Sequence, residues 1–305
     1  MRNAFIKKFI EIASKNEKII LISADIGAIV FDEFRELYPD RYINAGVSEA
    51  NMIGVASGLA MTGKIPYVYT IVPFVTMRCF EQIRVDVCIQ NMGINIIGVG
   101  GGLVYSTLGP THHAIEDIAI MRALPNMTVI VPADPIEAAL ATQALVNYGK
   151  PAYLRIGTAG EPNVYKEADT FEIGKAKILE EGNDGVLIAC GNFLYYALEI
   201  AKILRIKGIS LRVVNMHTIK PLDSDIILDS LKKTDKIFTY EEHSIIGGLG
   251  SAVAEIVSEH SNKKFILKRF GIDDRYFFNY GSREDLYRKS GLMPDQITKE
   301  ILKYY

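Results

Sequence analysis

Ile19-Ile20-Leu21-Ile22-Ser23 is a short run with no alternation of apolar and polar residues. A strand of that kind is buried on both faces, as in a parallel sheet covered by helices. The pattern continues outward from it, with strands expected at Ile19–Ser23, Tyr67–Ile71, Asn95–Val99, Thr128–Val131 and Ala152–Ile156. Between them lie helix candidates at Ala4–Ser14, Glu49–Thr62, Phe80–Gln90, Ile115–Ala123 and Pro135–Tyr148, several with apolar residues three and four apart. Such alternation is the signature of an α/β fold, a doubly wound and mostly parallel sheet. From Thr158 to Thr170 the periodicity gives way to polar and turn residues, so a first domain is expected over 1–157 and a linker over 158–171. A smaller α/β domain is expected over 172–305. Its strands are placed at Val186–Cys190, Leu211–Val214, Lys236–Tyr240 and Phe265–Lys268, and its helices near Tyr195–Ile206, Ile226–Lys232, Ser251–Glu259 and Asp295–Leu302.

Composition narrows the function classes. The 305 residues are 49% hydrophobic and 23% charged, an ordinary globular balance that excludes disorder, collagen-like repeats and disulfide-rich scaffolds. Lys and Arg total 34 against 36 Asp and Glu, with no run of five or more basic residues, so no nucleic-acid partner is expected. Cys79, Cys88 and Cys190 are odd in number and form no C-x-x-C pair, which fits a reducing compartment, and the cytoplasm is the expected location. Lys7 and Lys8 interrupt the place where a signal peptide needs its apolar stretch. The most apolar segment, Lys18–Val30, contains Asp25 and falls short of the roughly 18 uninterrupted residues of a membrane span.

In open α/β sheets ligands sit beyond the carboxyl ends of the strands. The polar residues found there are Asp25, the Asn44–Glu49 turn, Gly100–His113, Asp134 and Arg155. Gly58–Lys64 has phosphate-loop spacing, but Ile65 follows and the segment ends a helix, so Gly63 reads as a C-terminal cap. The run Gly98-Val99-Gly100-Gly101-Gly102-Leu103 lacks the third glycine of a dinucleotide fingerprint. What it offers is a loop able to approach a ligand closely. His112 and His113 are adjacent, so their side chains diverge, and no partner at metal-ligand spacing accompanies them. Glu49 opens a helix of small residues behind Ser48, which is placed to cap it. Two readings of Glu49 stand open: a carboxylate complementing the helix dipole, or a desolvated one with a raised pKa that shuttles protons.

Together the segments Tyr42–Ala60, Phe74–Arg84, Gly109-Pro110-Thr111-His112, Pro125–Asp134 and His243–Val253 resemble those of the transketolase family, and most closely chains that carry the C-terminal half of a transketolase. The resemblance implies a pyrimidine-binding α/β domain followed by the smaller transketolase C-terminal domain, with thiamine diphosphate and Mg²⁺ as cofactors. By the same resemblance Glu49 bonds the aminopyrimidine ring nitrogen and favours the tautomer that takes the proton from the thiazolium carbon. Phe74 stacks on the pyrimidine, and Arg78 lies in the helix that contacts it. His112 contacts substrate oxygens and moves protons there. Arg155 is matched to an arginine on the substrate phosphate, Arg2 to a second one, and Asp25 to an aspartate near the substrate channel.

No Gly-Asp-Gly motif followed by a distant Asn, the family's diphosphate and Mg²⁺ element, is found in the sequence. A companion chain, the N-terminal half of a transketolase, is therefore expected to supply the diphosphate side and the Mg²⁺ ligands in an α2β2 assembly. Self-association of this chain is a further expected state, and the Gly247–Gly250 region is expected at subunit contacts. Where typical members carry Gly-Glu-Asp before Gly-Pro-Thr-His, this chain has Ser106-Thr107-Leu108, and Gly100 stands in the place of a family histidine. Each missing polar contact costs an ordinary sugar phosphate about 1–3 kcal/mol, which points to a non-standard acceptor. The expected activity is transfer of a two-carbon ketol unit between sugar substrates. Its rivals are a decarboxylating 2-oxo acid acyl transfer and a non-catalytic stabilising subunit.

Overall fold

The computed structural model describes residues 1–27, 29–165, 170–260, 264–278 and 281–305. The first half runs α1 (Arg2–Lys15), β1 (Ile19–Ser23), α2 (Asp32–Leu37), β2 (Tyr42–Asn44), α3 (Glu49–Met61), β3 (Ile65–Ile71), α4 (Val72–Thr76), α5 (Phe80–Gln82), β4 (Asn95–Val99), α6 (Asp117–Ala123), β5 (Thr128–Ile130), α7 (Pro135–Leu145) and β6 (Ala152–Ile156). The second runs β7 (Lys177–Glu180), β8 (Gly185–Ala189), α8 (Phe193–Ile206), β9 (Leu211–Asn215), β10 (Thr218–Lys220), α9 (Ser224–Lys233), β11 (Lys236–Ser244), α10 (Leu249–His260), β12 (Ile266–Ile272), α11 (Arg283–Lys289) and α12 (Pro294–Leu302). Two mostly parallel sheets result, one of seven strands in the order β10-β5-β6-β4-β3-β1-β2 and one of five in the order β12-β11-β8-β9-β7. The α/β expectation holds. β1, β4 and β6 are buried along their whole length, Asn95 and Arg155 included, as strands covered on both faces are.

Aromatic packing seats α1 on the first sheet. Phe5 and Phe9 are fully buried, and Phe9 lies with ring centroids 5.0 Å from Phe34 and 5.1 Å from Tyr67. Each buried phenylalanine contributes about 1.5–3 kcal/mol. Gly63, with φ of 84°, follows the end of α3 and donates to the Ala60 carbonyl at 3.0 Å, the cap its position implies. The expected helix Phe80–Gln90 is α-helical only through Gln82 and continues as a π-helical segment, Ile83–Ile89, a distortion common beside functional sites.

The two halves are joined more closely than the alternation suggested. β10 belongs to the second half, yet it pairs antiparallel with β5 at the edge of the first sheet, where it covers unpaired backbone groups. Val131, Val186, Ile188, Val214 and Ile219 share one apolar cluster across both sheets. The expected linker is docked: the amides of Val164 and Tyr165 donate to Asp134 Oδ2, each at 2.9 Å, and Phe171 packs on the first-half core. Residues 166–169 of that stretch lie outside the described residues. The Gly247–Gly250 run, expected at subunit contacts, is used inside the chain. A Cβ on Gly247 would lie 2.7 Å from Ala119 Cβ, and one on Gly248 would lie 2.1 Å from Glu241 Oε2.

Candidate active site

The carboxyl ends of β1 to β4 converge on one edge of the first sheet, and each delivers a turn that carries polar side chains. After β1 and β2, Asn44 ties two turns together. Its Oδ1 accepts the amides of Asp25 at 3.0 Å and Gly46 at 2.9 Å, and its Nδ2 donates to Asp25 Oδ1 at 3.1 Å. That clamp holds Asp25 in a left-handed conformation, φ of 48°, which Asp tolerates better than most residues. It also fixes the approach to Glu49, the first residue of α3. Ser48 occupies the cap position, but its hydroxyl donates to the Ala45 carbonyl instead of capping α3.

Glu49 is 3% exposed, and its Oε2 accepts Arg78 Nη1 at 2.6 Å. A carboxylate that complemented the helix dipole from the surface would not be so buried. Arg78 reaches Glu49 from the break between α4 and α5, with its guanidinium carbon 4.4 Å from the centre of the Phe74 ring. Phe74 in turn meets His112 edge to face, with ring centroids 5.2 Å apart, and the Tyr105 ring lies 6.2 Å from that of His112. Arg2 lowers the Tyr105 pKa by its charge, while burial, the larger effect, raises it. A continuous line of contacts therefore runs Glu49, Arg78, Phe74, His112, Tyr105; Arg2 acts on Tyr105 by its charge, and Asn44 joins Asp25 to the turn that leads to Glu49.

His112 and His113 divide as adjacency demands. His112 sits in the turn opened by Gly109, whose φ is 78°, and its Nδ1 lies 3.0 Å from the Thr111 hydroxyl. His113 is 2% exposed, points to the Ser106 carbonyl, and has its pKa lowered by desolvation. The three cysteines are buried thiols; burial, with the Glu49 charge second, pushes Cys79 up to about 12, which makes it inert.

Arg155 is not part of this line of contacts, and its guanidinium, expected at a substrate phosphate, is engaged by groups of this chain. Its side chain is buried, Nε donates to Asp117 Oδ2 at 2.8 Å, and Nη2 donates to the carbonyls of Ala114 and Glu242 at 2.8 and 3.0 Å. Asp117 Oδ2 also accepts the Tyr153 hydroxyl at 2.7 Å. Asp134 is likewise structural, accepting the Glu137 amide at the start of α7.

The glycine run is corrected too. Cβ atoms on Gly100, Gly101 and Gly102 would lie 2.1 Å from Tyr105, 2.7 Å from Arg155 and 2.2 Å from Glu242. Those glycines admit side chains of this chain, not a ligand. Glu242 and Tyr105 were missed in the sequence. The acidic pair Glu241-Glu242 directly after the apolar residues Ile237, Phe238 and Tyr240 was the available signal.

A flat heteroaromatic ring with a nitrogen for a carboxyl partner fits this donor set. Glu49 supplies the buried carboxylate, Phe74 a stacking face and His112 a polar edge. Among the described residues no group of three or more His, Cys, Asp or Glu could hold a metal ion, and no helix is long and apolar enough to cross a membrane.

Comparison with known proteins agrees with this geometry. Residues 1–159 match the transketolase pyrimidine binding domain, and residues 174–297 the transketolase C-terminal domain. The chain is 34% identical to an apulose-4-phosphate transketolase subunit of Phocaeicola vulgatus, over 99% of this chain and 96% of that protein. It is 36% identical to the 6-deoxy-6-sulfo-D-fructose transketolase subunit of Clostridium sp. strain MSTE9, over 98% and 92%. A solved split-gene transketolase, described as an inactive β4 tetramer, superposes with a TM-score of 0.89 at 36% identity, covering 99% of this chain and 96% of that one. The matched domains, these relatives and a buried Glu49 at the mouth of α3 place the chain in the transketolase family.

Proposed function

We propose that this chain supplies the pyrimidine side of a shared thiamine diphosphate site in a transferase that moves a two-carbon ketol unit between sugar or sugar-phosphate substrates. The observation that carries the reading is the buried Glu49 carboxylate set against Phe74 and His112. Bound thiamine diphosphate supplies the nucleophilic carbon that carries the ketol unit. Glu49 holds a proton at the pyrimidine ring nitrogen from a water-poor position, where a carboxylate acts more strongly than in solvent. Phe74 orients the ring by stacking. Arg78, already on Phe74 and Glu49, lines the same position. His112 stands where it holds or moves a proton at the donor and acceptor carbonyl oxygens. Arg2 and Asp25 border the substrate side.

Diphosphate and Mg²⁺ fall to a companion chain, the N-terminal half of a transketolase, in an α2β2 complex. The inactive β4 tetramer of the solved relative supports a chain that associates with itself yet needs a companion for turnover. A non-standard acceptor is supported by Tyr105 filling the space over Gly100, by Leu108 at the substrate mouth, and by the unusual sugars in the names of the two relatives. Those relatives, matched over nearly their whole length, carry transketolase names, which disfavours the decarboxylating alternative. The reducing cytoplasm remains the expected setting.

Calorimetric titration of thiamine diphosphate with Mg²⁺ tests the half-site. Tight binding is expected only when the companion is present. Tight binding by this chain alone overturns the shared site.

A further inference from the structure

The loop between β4 and α6 carries Tyr105 and His112, and the second domain holds it at both ends. At its start the Leu103 amide donates to Glu242 Oε1 at 2.8 Å. Gly102 and Ala114 exchange backbone bonds at 2.9 and 2.8 Å, which closes the loop into a ring. At its end Arg155 Nη2 bonds the carbonyls of both Ala114 and Glu242, and the Ser244 amide donates to the Ile115 carbonyl at 2.8 Å.

The Glu242 carboxylate is itself immobilised. It is 1% exposed and accepts Arg283 Nε at 3.0 Å, Arg283 Nη2 at 2.5 Å and the Tyr287 hydroxyl at 2.6 Å. Only glycine at position 102 lets it approach, since a Cβ there would lie 2.2 Å from its Cδ. A carboxylate bound by four donors, one of them a loop amide in the other half of the chain, is costly to bury unless its geometry is fixed.

We propose that Glu242 is a positioning residue for the substrate-side loop: through the Leu103 amide it sets where Tyr105 and His112 stand, so the C-terminal domain tunes acceptor recognition without touching the acceptor. The proposal rests on the reading that this loop faces substrate. It assigns the second domain a part in specificity separate from cofactor binding, because Glu49 and Phe74 lie on other turns.

The test uses Glu242→Gln, with Tyr287→Phe as a gentler variant that removes one donor should the first fail to fold. In the purified chain, amide hydrogen exchange is expected to quicken about tenfold or more across 102–114 while β8, β9 and α8 keep their protection. Exchange that rises uniformly, or not at all in either variant, overturns the proposal. In the complex with the companion chain, KM for the acceptor is expected to rise about tenfold, with kcat and thiamine diphosphate affinity changed less than about threefold. An unchanged KM, or parallel loss of cofactor affinity, also overturns it. If the wild-type pair fails to bind thiamine diphosphate, the shared-site reading falls, while the exchange result still decides whether Glu242 holds the loop.

Discussion

Replacing Asp117 by Asn removes one charge from the buried pair with Arg155 and leaves the volume unchanged. Both side chains are essentially inaccessible, at 0% and 5% exposure, so solvent does not screen the guanidinium left behind. Removing one partner of such a pair costs about 3–5 kcal/mol. The lower end applies, because Asp117 Oδ1 is already buried without a partner, and two carbonyls continue to accept from Arg155 Nη2. A loss of about 3 kcal/mol corresponds to a melting temperature lower by about 5 °C for 305 residues unfolding together. Asp117→Asn/Arg155→Met removes the stranded charge along with its partner. It should be more stable than the sum of the two single changes by at least about 1 kcal/mol, the coupling expected of contacting residues. Urea and thermal unfolding of the four proteins measure this cycle. A single-variant cost below about 1 kcal/mol, or strict additivity, refutes the structural role of the pair and reopens a substrate role for Arg155.

Glu49→Gln is expected to abolish turnover in the assembled enzyme while circular dichroism and melting stay near wild type; most of the activity surviving would remove Glu49 from its role. Phe74→Leu keeps apolar bulk but loses the aromatic face, and should weaken thiamine diphosphate binding about 2- to 13-fold by calorimetry, the equivalent of about 0.5–1.5 kcal/mol of stacking. Burial raises Glu137 to about 7, so from pH 4.5 to 7 the folded chain keeps a proton that the unfolded chain has lost, and stability falls by up to about 3 kcal/mol as pH rises. Burial lowers His217 to about 4, so between pH 4 and 6.5 the unfolded chain binds the extra proton and stability rises with pH. The two oppose each other in the wild type. Glu137→Gln should leave a stability that climbs from pH 4.5 to 6.5 in urea midpoints; a flat profile would contradict the His217 assignment, and a wild-type profile that climbs as steeply would contradict that of Glu137.

Elements whose burial is written into a local run were legible. β1, β4 and β6 fall where short, mostly apolar runs without alternation put them, and α3 begins at Glu49 as its helix pattern implied. β2 and β10, three residues each, were not: β5 is as short but lies within a longer apolar run, whereas these two are flanked by polar and turn residues. β10 also depends on a partner, β5, that is far away in sequence. Glu49, Phe74, Arg78 and His112 were named from sequence and meet in one line. Arg2 reaches that line only through its charge on Tyr105, and Asp25 is joined to the turn before Glu49 only through Asn44.

Arg155 shows what sequence alone could not hold. Its place at the end of β6 is a property of the strand, but the direction of a long guanidinium stem is decided by whichever carboxylate is buried within reach, here Asp117. Gly100–Gly102 were legible as close-approach positions and not as to what approaches, since Tyr105, Arg155 and Glu242 arrive from three separate stretches of chain. Local periodicity and residue chemistry thus determined the α/β layers and the candidate cofactor side. Tertiary structure decided which charges are paired and which remain available, because pairing depends on distance in space and on the water excluded around it.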